Sequence, residues 1–227
     1  MEKKIILVVS AHPDDEILGV GGTLIRHRDQ GDEIHWLIAT NIFEDQGFQK
    51  DKVKARQTEI EAVANRLEMK VHLLNYKTMS LTSQDMLTLI PSISSIFSDV
   101  NPEVIYVLNR SDAHSDHRIL FDAVMACTKS FRYPSIREVL MYECLSETEF
   151  APALPEKVFI PNCYTNISEQ MSEKLSLMRT YESELGEHPF PRSERNIKAL
   201  ATYRGASSGV EYAEAFQILK LYRFERL

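Results

Sequence analysis

Ile5-Ile6-Leu7-Val8-Val9-Ser10-Ala11-His12-Pro13-Asp14-Asp15-Glu16 decides how this chain folds. Its first six residues are almost wholly apolar and do not alternate, the pattern of a strand buried on both faces of a parallel sheet. Pro13 fixes its own φ and pushes His12 toward an extended conformation, so the strand ends there and the imidazole can turn into the crevice above the sheet. In open α/β sheets that crevice is where ligands bind. From Asp14 the spacing becomes helical, with Ile17, Leu18, Leu24 and Ile25 on one side and the acids in the first turn, where the macrodipole favours negative charge. One imidazole and three carboxylates where an apolar run stops form a metal-site composition, and His12 and Asp15, three apart, can converge on one ion. Taken alone, the hexapeptide 11–16 reads equally well as an acidic helix start beside a hydrogen-bonded histidine.

Outward from this stretch, strand and helix alternate. A helix over 16–30, the break Gly31-Asp32 and a strand over 33–40 complete a βαβ unit. A polar rim loop, 41–49, precedes a helix over 50–67 and a short strand over 70–74. A helix over 84–98 tolerates Pro91, and Asn101-Pro102 separates it from an apolar strand over 103–108. A helix over 116–131 and a strand over 139–143 follow, then an irregular Pro-rich region, 150–166. Ser168 is expected to cap a helix running to about 184, and a turn-rich loop, 186–192, leads into a last helix over 193–204. The expectation is a single α/β domain over 1–227, a mostly parallel sheet flanked by helices with its active site at the C-terminal ends of the strands.

The second informative stretch is Asn109-Arg110-Ser111-Asp112-Ala113-His114-Ser115-Asp116-His117-Arg118. It follows one strand as His12 follows another, so the two clusters can meet at one sheet edge despite about a hundred intervening residues. Three N/O ligands with an open fourth position are the pattern of a catalytic zinc site, and His12, Asp15 and His117 can supply it. His114 lies one turn from His117, and a carboxylate such as Asp116 or Asp112 can hold its ring. The bland alternative is a solvated helix start with surface histidines.

With both clusters quoted, the sequence resembles the N-acetylglucosaminylphosphatidylinositol de-N-acetylase-like (PIG-L or LmbE-like) metal-dependent deacetylases. The resemblance rests on His12-Pro13-Asp14-Asp15-Glu16 and His114-Ser115-Asp116-His117, and extends through Gly19-Val20-Gly21-Gly22-Thr23, Arg56-Gln57-Thr58-Glu59, Tyr181-Glu182-Ser183 and Tyr212-Ala213-Glu214-Ala215-Phe216. It implies a Rossmann-like domain that removes acetyl groups from N-acetylglucosamine-type sugars. His12, Asp15 and His117 would bind the metal, Asp14 would be the general base, and His114 the acid or oxyanion stabiliser oriented by Asp116. Arg56 matches a substrate-contacting arginine, and Tyr181, Tyr212 and Glu214 carry over as pocket residues. Ser115 stands where the family usually has proline. The residues suit this chemistry. Two neutral imidazoles and one carboxylate leave a Zn²⁺ net positive and able to acidify a bound water, with Fe²⁺ also admitted by N/O ligands.

Composition narrows the partners. The chain has 227 residues, 44% of them hydrophobic, with 26 Lys plus Arg against 33 Asp plus Glu, which gives no footprint for nucleic acid or an anionic membrane. A small N-acetylated amino sugar conjugate is the expected partner, and the oligomeric state is open. Cys127, Cys144 and Cys163 form no CxxC pair, which fits a reduced, cytoplasmic setting. Met1-Glu2-Lys3-Lys4 looks like a signal start, but Pro13 and the acids follow with no small-residue cleavage pattern. No segment approaches the ~20 apolar residues of a bilayer span. Gly19, Gly21 and Gly22 fall inside the helix, which reads as close packing and not as a dinucleotide loop. His27, His35 and His72 read as structural histidines, Met171 and Met178 as core, and His188 as an exposed loop residue. For the aglycone, the rim segments 41–49 and 185–192 are the expected readers, with Arg56 or Arg192 contacting a polar, phosphate-bearing conjugate. Two other functions compete: a two-metal phosphoesterase, and a non-catalytic sugar or nucleotide-sugar binding module.

Overall fold

The structure is a computed structural model that describes residues 3–223; Met1 and Glu2 of the signal-like start lie outside it. The elements run β1 (Ile5–Ser10), α1 (Asp15–Asp29), β2 (Glu33–Asn41), α2 (Lys50–Arg66), β3 (Met69–Lys77), α3 (Met86–Val100), β4 (Val104–Leu108), α4 (Ser115–Ala126), β5 (Glu138–Tyr142), β6 (Cys163–Asn166), α5 (Met171–Met178), α6 (Glu194–Ser208) and β7 (Ala213–Leu221). One seven-stranded sheet has the order β3-β2-β1-β4-β5-β7-β6. The first five strands pair parallel, and β7 joins β5 and β6 antiparallel. This is the mostly parallel, helix-flanked α/β sheet that the alternation of elements implies.

The order of strands locates the crevice. From β1 the chain runs outward through β2 and β3, then returns to β4 on β1's other side. Ligands gather at such a reversal, above the carboxyl ends of the strands. The two motif stretches follow β1 and β4, the strands that flank it.

Apolar strand residues bury on both faces: Ile6 to Val9 of β1 and Ile105, Val107 and Leu108 of β4 have no exposed surface. Helix α1 packs so closely on the sheet that a Cβ on Gly19 would lie 2.2 Å from the Tyr142 ring, and one on Gly22 would lie 2.6 Å from Ile167. The glycines therefore serve packing. Met171 and Met178 are buried in the core, as expected.

Several boundaries differ from the sequence reading. Helix α4 ends at Ala126, short of 131, and the helix expected up to 184 stops at Met178. Ser168 does not cap α5; Gln170 is at that position, while Ser168 bonds Asn166 and takes the Tyr212 N–H. Helix α6 does begin at a serine cap, Ser193 accepting the Asn196 N–H, and runs on to Ser208. The region read as irregular contains β6, and β7 was not expected as a strand at all. Among the described residues no helix is long and apolar enough to cross a membrane.

Candidate active site

Three strand ends build the site. After β1 come His12 to Asp15; after β4 come Asp112 to His117; after β5 come Cys144, Ser146 and Glu147. The third segment was missed in the sequence, although its place after a parallel strand is the same signal that found the other two.

Asp14 has φ 135° and ψ −28°, a backbone conformation that side chains other than glycine rarely adopt. Such strain persists only where its surroundings enforce it, and it clusters at functional sites. Here the buried Glu16 accepts the Asp14 N–H at 3.1 Å, and the Tyr181 hydroxyl donates to Glu16 at 2.7 Å. The Asp14 carbonyl accepts the N–H groups of Ile17 and Leu18, tying the strained residue to the start of α1.

His12, Asp15 and His117 offer ligand atoms that all lie within 4.8 Å of one another. His117 bonds Asp112 through Nδ1 at 2.9 Å, which turns Nε2 toward Asp15 at 3.4 Å and toward His12 Nδ1 at 3.3 Å. Asp112 is itself fixed by donors from Asn109 and Thr148, both at 2.7 Å. His12 bonds Asp116 through Nε2 at 3.2 Å, so its Nδ1 faces the same point. Each imidazole thus has a carboxylate behind it, the outer support typical of metal-ligating histidines. Burial opposes charging His117, yet Asp15 and Asp112 outweigh it and raise its pKa to about 9. Burial also disfavours the Asp15 carboxylate, but His117 and His12 hold it below the usual range. Both shifts come from the charge gathered around these ligand atoms, an excess of negative charge that a divalent ion would neutralise. The donor set fits such an ion.

His114 stands edge-on to His12, with ring centroids 4.5 Å apart. Its Nδ1 accepts the Asp116 N–H at 3.1 Å, and its backbone N–H donates to the Glu147 carboxylate at 2.8 Å. With Nδ1 accepting, the neutral ring carries its proton on Nε2. Burial and the neighbouring His12 lower its pKa to about 4, so the ring is neutral near pH 7. The Asp116 carboxylate is 3.9 Å from the His114 ring, too far for a hydrogen bond. It bonds His12 instead and accepts the N–H groups of Met79 at 2.8 Å and Leu81 at 3.0 Å. Asp116 therefore touches His114 through its backbone and His12 through its side chain.

Above these groups opens a cavity of about 720 Å³. His12, Asp14, Asp15, His114 and His117 line its floor, and Ile42, Phe48, Lys52, Arg56, Glu59, Glu182, Glu184 and Arg192 its walls. Arg56 and Arg192 both reach Glu184, which the sequence reading passed over between Ser183 and the loop 185–192. Of that loop only Arg192 lines the cavity; His188 and Phe190 lie outside it. Tyr181, expected in the pocket, is fully buried beneath it on Glu16. Glu214 is likewise absent from the cavity: it accepts the backbone N–H groups of Gly22 and Thr23, both at 2.8 Å, and pairs with Lys174 at 2.6 Å. Tyr212 does not line the cavity either. His27 bonds Asp32 and Tyr106, and His35 bonds His72 and Glu33, the structural roles expected of them.

Residues 7–128, more than half of the chain, match the PIG-L family model, GlcNAc-PI de-N-acetylase. The chain belongs to this family. Among similar proteins, diacetylchitobiose deacetylase of Thermococcus kodakarensis is 23% identical over 229 residues, which cover 95% of this chain and 83% of the relative. Among solved structures, N,N'-diacetylchitobiose deacetylase from Pyrococcus horikoshii superposes with a TM-score of 0.76 at 21% identity, covering 96% of this chain and 85% of that one. GalB, the 4-carboxy-2-hydroxymuconate hydratase from Pseudomonas putida KT2440, covers 100% of both chains with a TM-score of 0.69 at 20% identity. The PIG-L fold thus recurs in a protein named for a different reaction. For this PIG-L chain, homology to deacetylases supports a hydrolase acting on N-acetyl groups, and the site's own chemistry must carry the rest.

Proposed function

We propose that the protein is a single-unit, divalent-metal-dependent N-deacetylase of an N-acetylglucosamine-type sugar or its conjugate, with His12, Asp15 and His117 as ligands. The observation that carries this reading is the convergence of those three side chains beside a strained Asp14 on the floor of one cavity. Zn²⁺ is the first choice of ion, with Fe²⁺ compatible with the same two nitrogens and one oxygen. A bound ion supplies Lewis acidity, acidifying the attacking water and polarising the amide carbonyl.

The chain's own residues perform the proton transfers. Burial, with the charges of Asp15 and Glu184, raises the Asp14 carboxyl well above the ordinary range, although Arg192 and Arg56 oppose this. A carboxylate shifted in that direction is suited to taking a proton from water near neutral pH and returning it later. His114, neutral with its proton on Nε2, donates a hydrogen bond to the oxyanion as the carbonyl becomes tetrahedral. The C–N bond then breaks with its electron pair on nitrogen, and Asp14 returns the proton to the departing amine. This division of labour favours Asp14 over His114 as the proton donor. Asp116 fixes the tautomers of both histidines, one through its carboxylate and one through its backbone.

Among the described residues the two potential ligand groups share His12, which supports one ion and argues against a two-metal phosphoesterase. A relic binding module would have no need of the strain at Asp14. The three cysteines are free, compatible with the reducing cytoplasm proposed as its location. The test is acetate release from N-acetylglucosamine conjugates by metal-loaded protein, by chelated protein and by Asp14→Asn. Chelation should abolish turnover and metal restore it, while Asp14→Asn should keep the metal and lose about 10²–10⁴-fold in kcat. Undiminished turnover after chelation would refute the reading.

A further inference from the structure

The wall of the cavity bears on which conjugate it accepts. Arg56 donates to the Pro13 carbonyl through Nη1 at 2.9 Å, faces Glu59 through Nε at 3.1 Å, and bonds Glu184 through Nη2. Arg192 donates to the Glu184 carbonyl through Nε at 2.8 Å, to Ser146 through Nη1 at 2.9 Å and to the Glu184 carboxylate through Nη2 at 3.0 Å. Each of the six guanidinium nitrogens therefore has a protein oxygen beside it, and one carboxylate, Glu184, holds both side chains. In the wall as a whole, Glu59, Glu182 and Glu184 balance Lys52, Arg56 and Arg192, so no net positive charge awaits an anion. Ile42 and Phe48 add apolar surface to the same cavity.

From this arrangement we infer that Glu184 masks the two arginines, so that the cavity selects an uncharged, hydroxyl-bearing aglycone such as a second sugar and discriminates against phosphate- or carboxylate-bearing conjugates. The inference rests on the deacetylase reading above. Except at Lys52, an incoming anion would have to displace Glu184 from both arginines or lie against Glu59 and Glu182, and like-charge juxtaposition is an effective means of rejecting a partner. Crowding is already felt there. Burial pushes the Glu59 carboxyl up and, although Arg56 opposes, the charges of Glu184 and Glu182 push it further. A neutral sugar meets the opposite conditions, carboxylate acceptors for its hydroxyls and an apolar surface for its ring.

The test compares three probes that share the N-acetylglucosaminyl group: N,N'-diacetylchitobiose, an N-acetylglucosaminyl malate and N-acetylglucosamine 1-phosphate. Metal-loaded wild-type protein should show kcat/KM for the neutral probe above either anionic one by on the order of tenfold or more. Glu184→Gln removes the mask's charge, and should narrow that ratio by a similar factor, chiefly through a lower KM for the anionic probes. The readout is the ratio, so a change in absolute rate does not confuse it. Calorimetric binding of the same probes to metal-loaded Asp14→Asn reads the selectivity without turnover. If no probe is hydrolysed yet the neutral one binds best, the deacetylase reading fails and the selectivity stands. If the anionic probes bind as tightly as the neutral one, or if Glu184→Gln leaves the ratio unchanged, the masking is refuted. Should Glu184→Gln fail to fold, the wild-type ratios decide.

Discussion

Glu16 shows how much one residue of the first motif does away from the cavity. Its carboxylate has no exposed surface and is held between the Tyr181 hydroxyl and the Asp14 N–H. Burial raises its pKa from 4.5 to about 8, although both hydrogen bonds favour the charged form. A carboxyl whose folded pKa is raised contributes stability that is complete below its unfolded value and is lost as the pH climbs through the folded one. The window here runs from about 4.5 to about 8. Glu16→Gln, which cannot ionise, should therefore gain stability relative to wild type across that window, on the order of 1 kcal/mol per pH unit. Paired thermal melts at pH 5 and pH 8.5 measure this, and a constant gap between the two proteins would show that Glu16 stays charged in the fold. At this scale the sequence was informative wherever chemistry was concentrated. That His12, Asp15 and His117 come together could be read from the place of their two stretches after the apolar runs of β1 and β4, but the partner of the Asp116 carboxylate could not, because sequence spacing does not say which of two neighbouring imidazoles a side chain reaches. Tyr181 shows the same limit, since a tyrosine in a shared motif can sit beneath a cavity as readily as in it.

Among the elements, α1 is tied to the chain's late segments by side chains that reach its backbone. Lys174 donates to its Leu18 carbonyl, and Glu214 takes the N–H groups of Gly22 and Thr23, contacts spanning 156 to 192 residues. Ile167, which follows β6, fills the space a side chain on Gly22 would need. Gly22→Ala should thus destabilise the fold by about 1–3 kcal/mol through overpacking, despite alanine's better helix propensity. Urea unfolding at constant metal occupancy tests it, and a stabilised variant would mean that Ile167 does not rest on α1. Strands β1, β4 and β5 were readable because burial on both faces leaves an uninterrupted apolar run. Strand β7 was not, since only Ala213 to Phe216 are buried and the rest mixes polar and apolar residues along a partly exposed stretch. Its role comes from antiparallel pairing with β5 and β6, a distant relation with no local signature.

For the whole molecule, the reversal of strand order between β2-β1 and β4-β5 is what makes two short motifs into one site. The same architecture in a hydratase means that the sheet supplies a place for chemistry and leaves its kind to the residues there. The number of ions bound discriminates most directly among the competing functions. A two-metal phosphoesterase needs ligands for two centres about 3.5–4 Å apart. Among the described residues the potential ligand groups are His12, Asp15 and His117, and His12, His114 and Asp116; they share His12, so filling both would need its two ring nitrogens, on different edges of one imidazole, to hold the two ions. The Asp116 carboxylate is moreover engaged by two backbone N–H groups, while Asp15 is turned toward His117. Elemental analysis of protein equilibrated with Zn²⁺ or Fe²⁺ should accordingly find about one ion per chain. His117→Ala should lose it, and Asp112→Asn, which leaves the ligands in place but weakens the support behind His117, should lower affinity by about 10–100-fold. Two ions per chain would favour the phosphoesterase, and full occupancy in His117→Ala would remove that histidine from the ligand set.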